Sequence, residues 1–140
     1  ALLFAEHESR LAGCVAYAPC VDVEKRLADY ISNPLVEVLL PEVDQFVRQQ
    51  SPLRHVNSLK CPVFLFHAEG DTDALPAESR DFAARLAALG TPCHLESVPD
   101  GDHYNSMLEE GIPRGIVWLK NTALGERSDS GEPSVPNSEK

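Results

Sequence analysis

Several kinds of segment are missing from this 140-residue sequence. It has no apolar run long enough to cross a bilayer, and no basic stretch followed by an apolar one as in a signal peptide. Lysine and arginine form no run, and their 12 residues face 22 aspartates and glutamates, for a formal net charge of −10. Such a charge repels phosphate backbones and anionic lipids. We therefore expect neither nucleic acid nor a membrane as partner, and the compartment stays open, with the cytoplasm as the default.

Cysteine occurs four times, but never in a Cys-x-x-Cys pair or at the spacing of a zinc finger. Cys14, Cys61 and Cys93 adjoin apolar segments, where a thiol usually packs as a small hydrophobic group. His7 and Glu8 could begin a zinc-peptidase motif, but its second histidine is absent. The sequence therefore predicts no disulfide framework, no metal site and no cofactor.

Apolar runs alternate with amphipathic segments along the chain. Residues 13–18 and 62–67 have the apolar character of strands covered on both faces, and residues 93–98 form a third predicted strand, less apolar and so nearer an edge. Helices are expected at 1–7, in two or three pieces between 23 and 50, at 76–89 and at 113–122. The expected anchors are Phe82, Leu86 and Leu89 on one face of the helix at 76–89, and Ile116, Trp118 and Leu119 in the last helix. This alternation predicts an α/β fold with three parallel strands and crossover helices. We assign residues 1–123 to one domain and residues 124–140, which are nearly free of large apolar side chains, to a disordered polar tail.

Two titratable side chains follow two of the predicted strands. Asp71 comes just after the second strand, and His103 just after the third. Because the carboxyl ends of parallel strands meet at one sheet edge, these groups are expected to meet as the acid and base of a catalytic pair. Asp73 is a rival for the acid, and a turn carboxylate and an ordinary loop histidine are the structural alternatives. His67, which ends the second strand, is predicted to make structural hydrogen bonds.

The order of these segments resembles the carboxyl-terminal half of an α/β-hydrolase, closest to the prolyl-oligopeptidase-like and dienelactone-hydrolase-like branches. The similarity covers about residues 1–121, and its matching segments are Ser51-Pro52-Leu53, the stretch 60–71, Pro76, Ser79 and Gly101-Asp102-His103-Tyr104. In that family a His-Gly-x-x-Asp segment carries the acid and a Gly-x-His loop the base, which implies Asp71 and His103. Two departures leave Asp73 in competition: Ala68 replaces the usual glycine, and Pro76 comes one residue late.

The resemblance implies a serine hydrolase, a peptidase or an esterase, acting on a small-molecule or peptide substrate. Its nucleophile would sit in Gly-x-Ser-x-Gly on a strand-to-helix turn, and no serine of this chain has those glycine neighbours. We expect this turn to precede the helix at 1–7 in a longer protein, so that the chain alone is inactive. Cysteine or aspartate nucleophiles, as in related branches, stay open. So does a noncatalytic half-fold that serves as a scaffold or complements a separate amino-terminal chain.

The strand at residues 13–18 has a further consequence for the isolated chain. A strand covered on both faces, but without its neighbour on one side, offers free backbone N–H and C=O groups to any other strand. We therefore expect the isolated chain to associate with itself through this edge.

Overall fold

The structure of the chain, a computed structural model, describes residues 1–125. Three strands alternate with helices along this part of the chain. The strands are β1 (Cys14–Tyr17), β2 (Val63–Ala68) and β3 (Cys93–Val98). The helices are α1 (Leu2–His7), α2 (Val23–Arg26), α3 (Ala28–Ile31), α4 (Pro34–Leu39), α5 (Val43–Gln49), α6 (Pro52–His55), α7 (Pro76–Ala88), α8 (His103–Ser106) and α9 (Ile112–Leu124). A 3₁₀ turn at Val56–Ser58 and a π-helical turn at Met107–Gly111 complete the described elements.

The three strands form one parallel sheet in the order β1-β2-β3. Ala16 is paired with Leu65, and Leu65 with Leu95. All six residues of β2 are buried, which explains why this strand is an uninterrupted apolar run rather than an alternating one. The sheet confirms the predicted α/β class and three parallel strands, with boundaries shifted by one residue at β1 and β2.

Side chains of β2 alternate between the two faces of the sheet and enter two hydrophobic clusters. Val63 and Leu65 join one cluster, into which α7 inserts Phe82 and Leu86. Helix α1 packs on the same side. The predicted third anchor of α7, Leu89, is 49% exposed because the helix ends one residue earlier. These two helices therefore cover one face of the sheet.

Helix α9 covers the opposite face but rests on different residues from those predicted. Of the expected anchors Ile116, Trp118 and Leu119, only Trp118 packs against the second cluster, while the other two are exposed. The one buried residue of the helix is Gly115, where a Cβ atom would lie 2.8 Å from Cγ1 of Val15. The helix approaches β1 so closely that a glycine, rather than a large apolar side chain, occupies the contact.

Residues 23–50 contain four short helices, α2 to α5, where two or three were predicted. Asn33 caps α4 by accepting a hydrogen bond from the Leu35 N–H, and Pro34 occupies its first turn, so the chain restarts its helix there. Ser51, which follows α5, connects the two ends of this segment. Its buried hydroxyl accepts the backbone N–H of Val23, the first residue of α2, at 3.0 Å. Helices α4 and α5 leave exposed the large apolar side chains of Leu35, Val38, Leu39, Leu40 and Phe46.

Most of the predicted tail, residues 126–140, lies outside the described part of the chain. Within residues 1–125, no helix combines the length and apolarity that a membrane span requires. All four cysteines are free: Cys14 and Cys61 are buried, and Cys20 and Cys93 are partly exposed.

Helix α1 buries a carboxylate that has no hydrogen-bond partner among the described residues, that of Glu6. Burial raises the pKa of Glu6 to about 7. An unfolded glutamate titrates near pH 4.3, so folding favours the protonated form. The contribution of Glu6 to stability is complete below about pH 4 and is lost as the pH rises to about 7.

We expect the free energy of unfolding to fall by about 3 kcal/mol between pH 4.5 and pH 8 on account of this carboxyl group. Glu6→Met keeps the length of the side chain and should abolish this part of the decline, as measured by urea unfolding across that range. Glu37→Met, on the exposed surface of α4, is the control and should leave the decline intact. A Glu6→Met variant with the same pH dependence as the parent chain would contradict the assignment.

Candidate active site

The loops that follow β2 and β3 bring together the two residues predicted to form an acid and base pair. Asp71 lies in the turn after β2, and His103 is the first residue of α8, after β3. Nδ1 of His103 lies 2.8 Å from Oδ2 of Asp71. The carboxylate can only accept, so Nδ1 donates its proton and Nε2 is the ring nitrogen left to act as a base. The Asp71 side chain is inaccessible, whereas that of His103 is 23% exposed.

Backbone amides hold the Asp71 carboxylate in place. Its Oδ1 atom accepts the N–H groups of Asp73 at 2.8 Å and of Ala74 at 2.9 Å. Burial alone would raise the pKa of Asp71, but the hydrogen bonds from Ala74, His103 and Asp73 outweigh it, and the pKa lies below its usual value. The carboxylate is therefore ionised at neutral pH. Asp73, the rival for the acid, contributes its backbone N–H to this arrangement, and the carboxylate beside His103 is that of Asp71.

Two glycines permit the close approach of the acid turn and the base loop. A Cβ atom on Gly70 would collide with the backbone carbonyl oxygen of Gly101. Gly101 has a φ of +114°, which side-chain-bearing residues rarely adopt, and a Cβ there would collide with the hydroxyl of Ser106. These contacts were not predicted, although Gly70 directly before Asp71 and Gly101 two residues before His103 were a visible signal.

The first turn of α8 fixes the position of His103. Asp102 caps the helix by accepting the backbone N–H groups of Tyr104 at 3.0 Å and Asn105 at 2.7 Å. The Tyr104 ring stands edge-on to the imidazole, with 4.9 Å between ring centroids, and is 63% exposed. Neither α8 nor the π-helical turn behind it was predicted. Because Tyr104 is exposed beside the imidazole, it is available to contact a substrate.

His67 makes the buried hydrogen bonds that were predicted for it. Its Nδ1 atom lies 2.8 Å from the hydroxyl of Ser79, and its Nε2 atom 2.9 Å from the carbonyl oxygen of Ala74. The same Nε2 atom also lies 3.3 Å from Oδ2 of Asp71, a contact that the sequence did not indicate. The carboxylate thus lies between two imidazoles, one buried and one partly exposed.

The third member of a nucleophilic site is not seen in the described part of the chain. Within residues 1–125, the hydrogen bond from Nδ1 to Asp71 is the one side-chain hydrogen bond of the His103 ring. The same residues contain no group of three or more side chains that could hold a metal ion. The arrangement has the geometry of an oriented general base and its supporting acid.

The chain is similar to known sequences over most of its length. The sequence profile of the prolyl oligopeptidase family matches residues 1–120. A curated protein, nonribosomal peptide synthetase 6 of Cochliobolus heterostrophus, is 31% identical over 83 residues, which are 59% of this chain and 4% of that protein.

Solved structures share the fold at low identity. A puromycin-hydrolyzing peptidase of Mycobacterium tuberculosis superposes with a TM-score of 0.68 at 21% identity, over 88% of this chain and 20% of the peptidase. Acylaminoacyl peptidase of Pyrococcus horikoshii gives 0.63 at 16% identity, over 94% and 22%. S-formylglutathione hydrolase of Staphylococcus aureus gives 0.64 at 18% identity, over 84% and 48%. The chain therefore spans about a fifth of these peptidases and about half of this hydrolase.

Proposed function

The chain belongs to the prolyl oligopeptidase family, and from this premise we propose that it supplies the acid and base of a serine hydrolase, a peptidase or an esterase. The observation that carries the proposal is the 2.8 Å hydrogen bond between His103 Nδ1 and Asp71 Oδ2. A buried, ionised carboxylate behind a partly exposed imidazole is the arrangement that activates a hydroxyl nucleophile. The substrate is a small molecule or a peptide with a hydrolysable acyl bond.

In this mechanism His103 moves protons, while Asp71 keeps its charge. Nε2 of His103 takes the proton of the nucleophile as its oxygen attacks the substrate carbonyl carbon. Asp71 stabilises the resulting imidazolium, which then protonates the departing amine or alcohol as the acyl bond breaks. Water next attacks the acyl-enzyme, with Nε2 again the base. The acid leaves the enzyme, and the nucleophile recovers its proton from His103.

We assign the nucleophile to polypeptide outside this chain. In the family the nucleophile lies on a turn between a strand and a helix, and α1 is the helix that such a turn would precede here. Within the described residues, β1 pairs with β2 on one side, which leaves its other side open to a further strand. In the isolated chain that edge is free to pair with a second copy, and we propose that it does.

A fluorophosphonate probe, which reacts with activated serine hydroxyls, tests the proposal. The complete protein that includes these 140 residues should be labelled, and the 140-residue chain alone should not. His103→Ala in the complete protein should abolish the labelling, while His94→Ala, a surface histidine at the sheet edge, should leave it unchanged.

The outcomes separate the alternative nucleophiles from the alternative function. A complete protein that resists the probe but reacts with iodoacetamide in a His103-dependent way would overturn the serine in favour of a cysteine. A complete protein that reacts with neither and hydrolyses no ester or peptide would overturn the serine or cysteine hydrolase; if it also cleaves no haloalkane, which an aspartate nucleophile would attack, the enzymatic role falls in favour of a noncatalytic half-fold. Labelling of the 140-residue chain alone would overturn the assignment of the nucleophile to other polypeptide.

A further inference from the structure

We propose that His67 is a positioning residue for the carboxylate of Asp71, because its hydrogen bond to the Ala74 carbonyl holds the turn whose N–H groups orient that carboxylate toward His103. This inference rests on the proposed function, because it gives a second imidazole a role in the same site. His67 is 1% exposed, so it cannot reach a substrate, and any effect on the reaction must pass through its neighbours. One of those neighbours is Asp71 Oδ2, 3.3 Å from Nε2.

The contacts of the buried ring define where its proton lies. The carbonyl oxygen of Ala74 can only accept, so Nε2, at 2.9 Å from it, carries the hydrogen. The hydroxyl of Ser79, at 2.8 Å from Nδ1 and itself fully buried, then donates to Nδ1 of the neutral ring. Within residues 1–125, this is the one hydrogen bond of the Ser79 hydroxyl. Both ring nitrogens are thus satisfied in one tautomer, whose Nε2–H points at the Ala74 carbonyl, and Asp71 Oδ2 lies 3.3 Å from the same nitrogen.

Three donors hold the two oxygens of Asp71. Oδ1 accepts the backbone N–H groups of Asp73 and Ala74, and Oδ2 accepts the Nδ1–H of His103. Rotation of the carboxylate about its Cβ–Cγ bond would break hydrogen bonds on both sides. Nε2 of His67, 3.3 Å from Oδ2, lies against the same oxygen and limits its movement.

His67 also holds the turn that carries the backbone donors. Its bond to the Ala74 carbonyl ties the end of the Asp71-to-Ala74 turn to the end of β2. Without that tie, Ala74 is free to move away, and its N–H would leave Oδ1. A small displacement of the acid is enough to misalign the base, and an error of about 1 Å in a catalytic group can cost about a hundredfold in rate.

Two amide substitutions at position 67 differ in the one contact that matters. Glutamine places its side-chain N–H₂ group where Nε2 of histidine lies, within reach of Ala74 and Asp71, whereas asparagine reaches only the position of Nδ1, next to Ser79. In the complete enzyme, we expect His67→Asn to lower kcat by about tenfold to a hundredfold with little change in KM. His67→Gln should retain kcat within about threefold.

A spectroscopic signature separates positioning from a general loss of structure. The Nδ1 proton of His103, donated to a carboxylate, should resonate far downfield in the proton NMR spectrum, and His67→Asn should shift or broaden this resonance while His67→Gln preserves it. An Asn variant with the kcat and the downfield resonance of the parent would overturn the proposal. So would a Gln variant that is as impaired as the Asn variant.

Two further variants keep the test decisive. If His67→Asn does not fold, the proton on Nε2 of His67 is followed in Asp71→Asn, where it should shift; a resonance unchanged by that substitution overturns the proposal. His103→Ala distinguishes the positioning role of His67 from the proposed function. Activity retained in His103→Ala refutes the proposed function, whereas activity lost there but unchanged in His67→Asn refutes only the positioning role.

Discussion

Asp71→Asn should lower kcat of the complete enzyme by about four orders of magnitude, the effect of amidating the acid of a serine protease triad, with little change in KM. The structure provides the reason. Oδ1 must remain an acceptor for the N–H groups of Asp73 and Ala74, so the new amide nitrogen has to replace Oδ2. It then directs N–H bonds at Nδ1 of His103, which must become an acceptor. The proton moves to Nε2, and the imidazole can no longer take a proton from the nucleophile.

Asp73→Asn is the matched control for this prediction, because it makes the same change of charge two residues away in the same turn. Asp73 acts at the site through its backbone N–H, which the substitution leaves in place. Steady-state hydrolysis of an activated ester by the two variants should show a loss in Asp71→Asn alone. A large loss in Asp73→Asn with an active Asp71→Asn variant would reverse the assignment of the acid.

Gly70→Ala should reduce kcat by about a hundredfold or more, although it adds a single methyl group. That methyl group would overlap the carbonyl oxygen of Gly101, an atom of the backbone that cannot rotate out of the way as a side-chain end could. The acid turn and the base loop must separate, and the bond between Asp71 and His103 lengthens with them. Forcing an extra methyl group into a filled space also destabilises a fold by about 1–3 kcal/mol.

Gly90→Ala separates the loss of stability from the loss of geometry. Gly90 has a φ of +74° at the end of α7, and a Cβ atom there would meet nothing within 4 Å. Its replacement should cost about 1–2 kcal/mol of backbone strain and leave kcat unchanged. Thermal melting and steady-state kinetics of both variants make the comparison. The explanation is wrong if Gly70→Ala retains kcat, or if Gly90→Ala loses it to the same extent.

The limits of sequence-based prediction in this protein follow from the range of the interactions involved. The strand at residues 62–67 was identifiable because both of its faces are covered, which leaves an unbroken apolar run. The residues that anchor α9 were not identifiable. Gly115 is required because the helix lies so close to Val15, and no local sequence pattern encodes that distance. The number of helices between residues 23 and 50 was underestimated. Helices as short as α4, capped by Asn33, and α2, held by the hydroxyl of Ser51, are too short to show a periodic pattern of apolar residues.

The candidate site divides in the same way. Order along the chain was enough to bring Asp71 and His103 to one edge of the sheet, because parallel strands present their carboxyl ends together. Order could not choose between Asp71 and Asp73, which are two residues apart, and a 2.8 Å bond distinguishes them in the folded chain. The contact between His67 and the carboxylate was likewise invisible, since it depends on how a buried ring is turned. Periodicity and strand order are properties of the chain, whereas proton direction and ångström-scale alignment arise only when separate segments pack against one another.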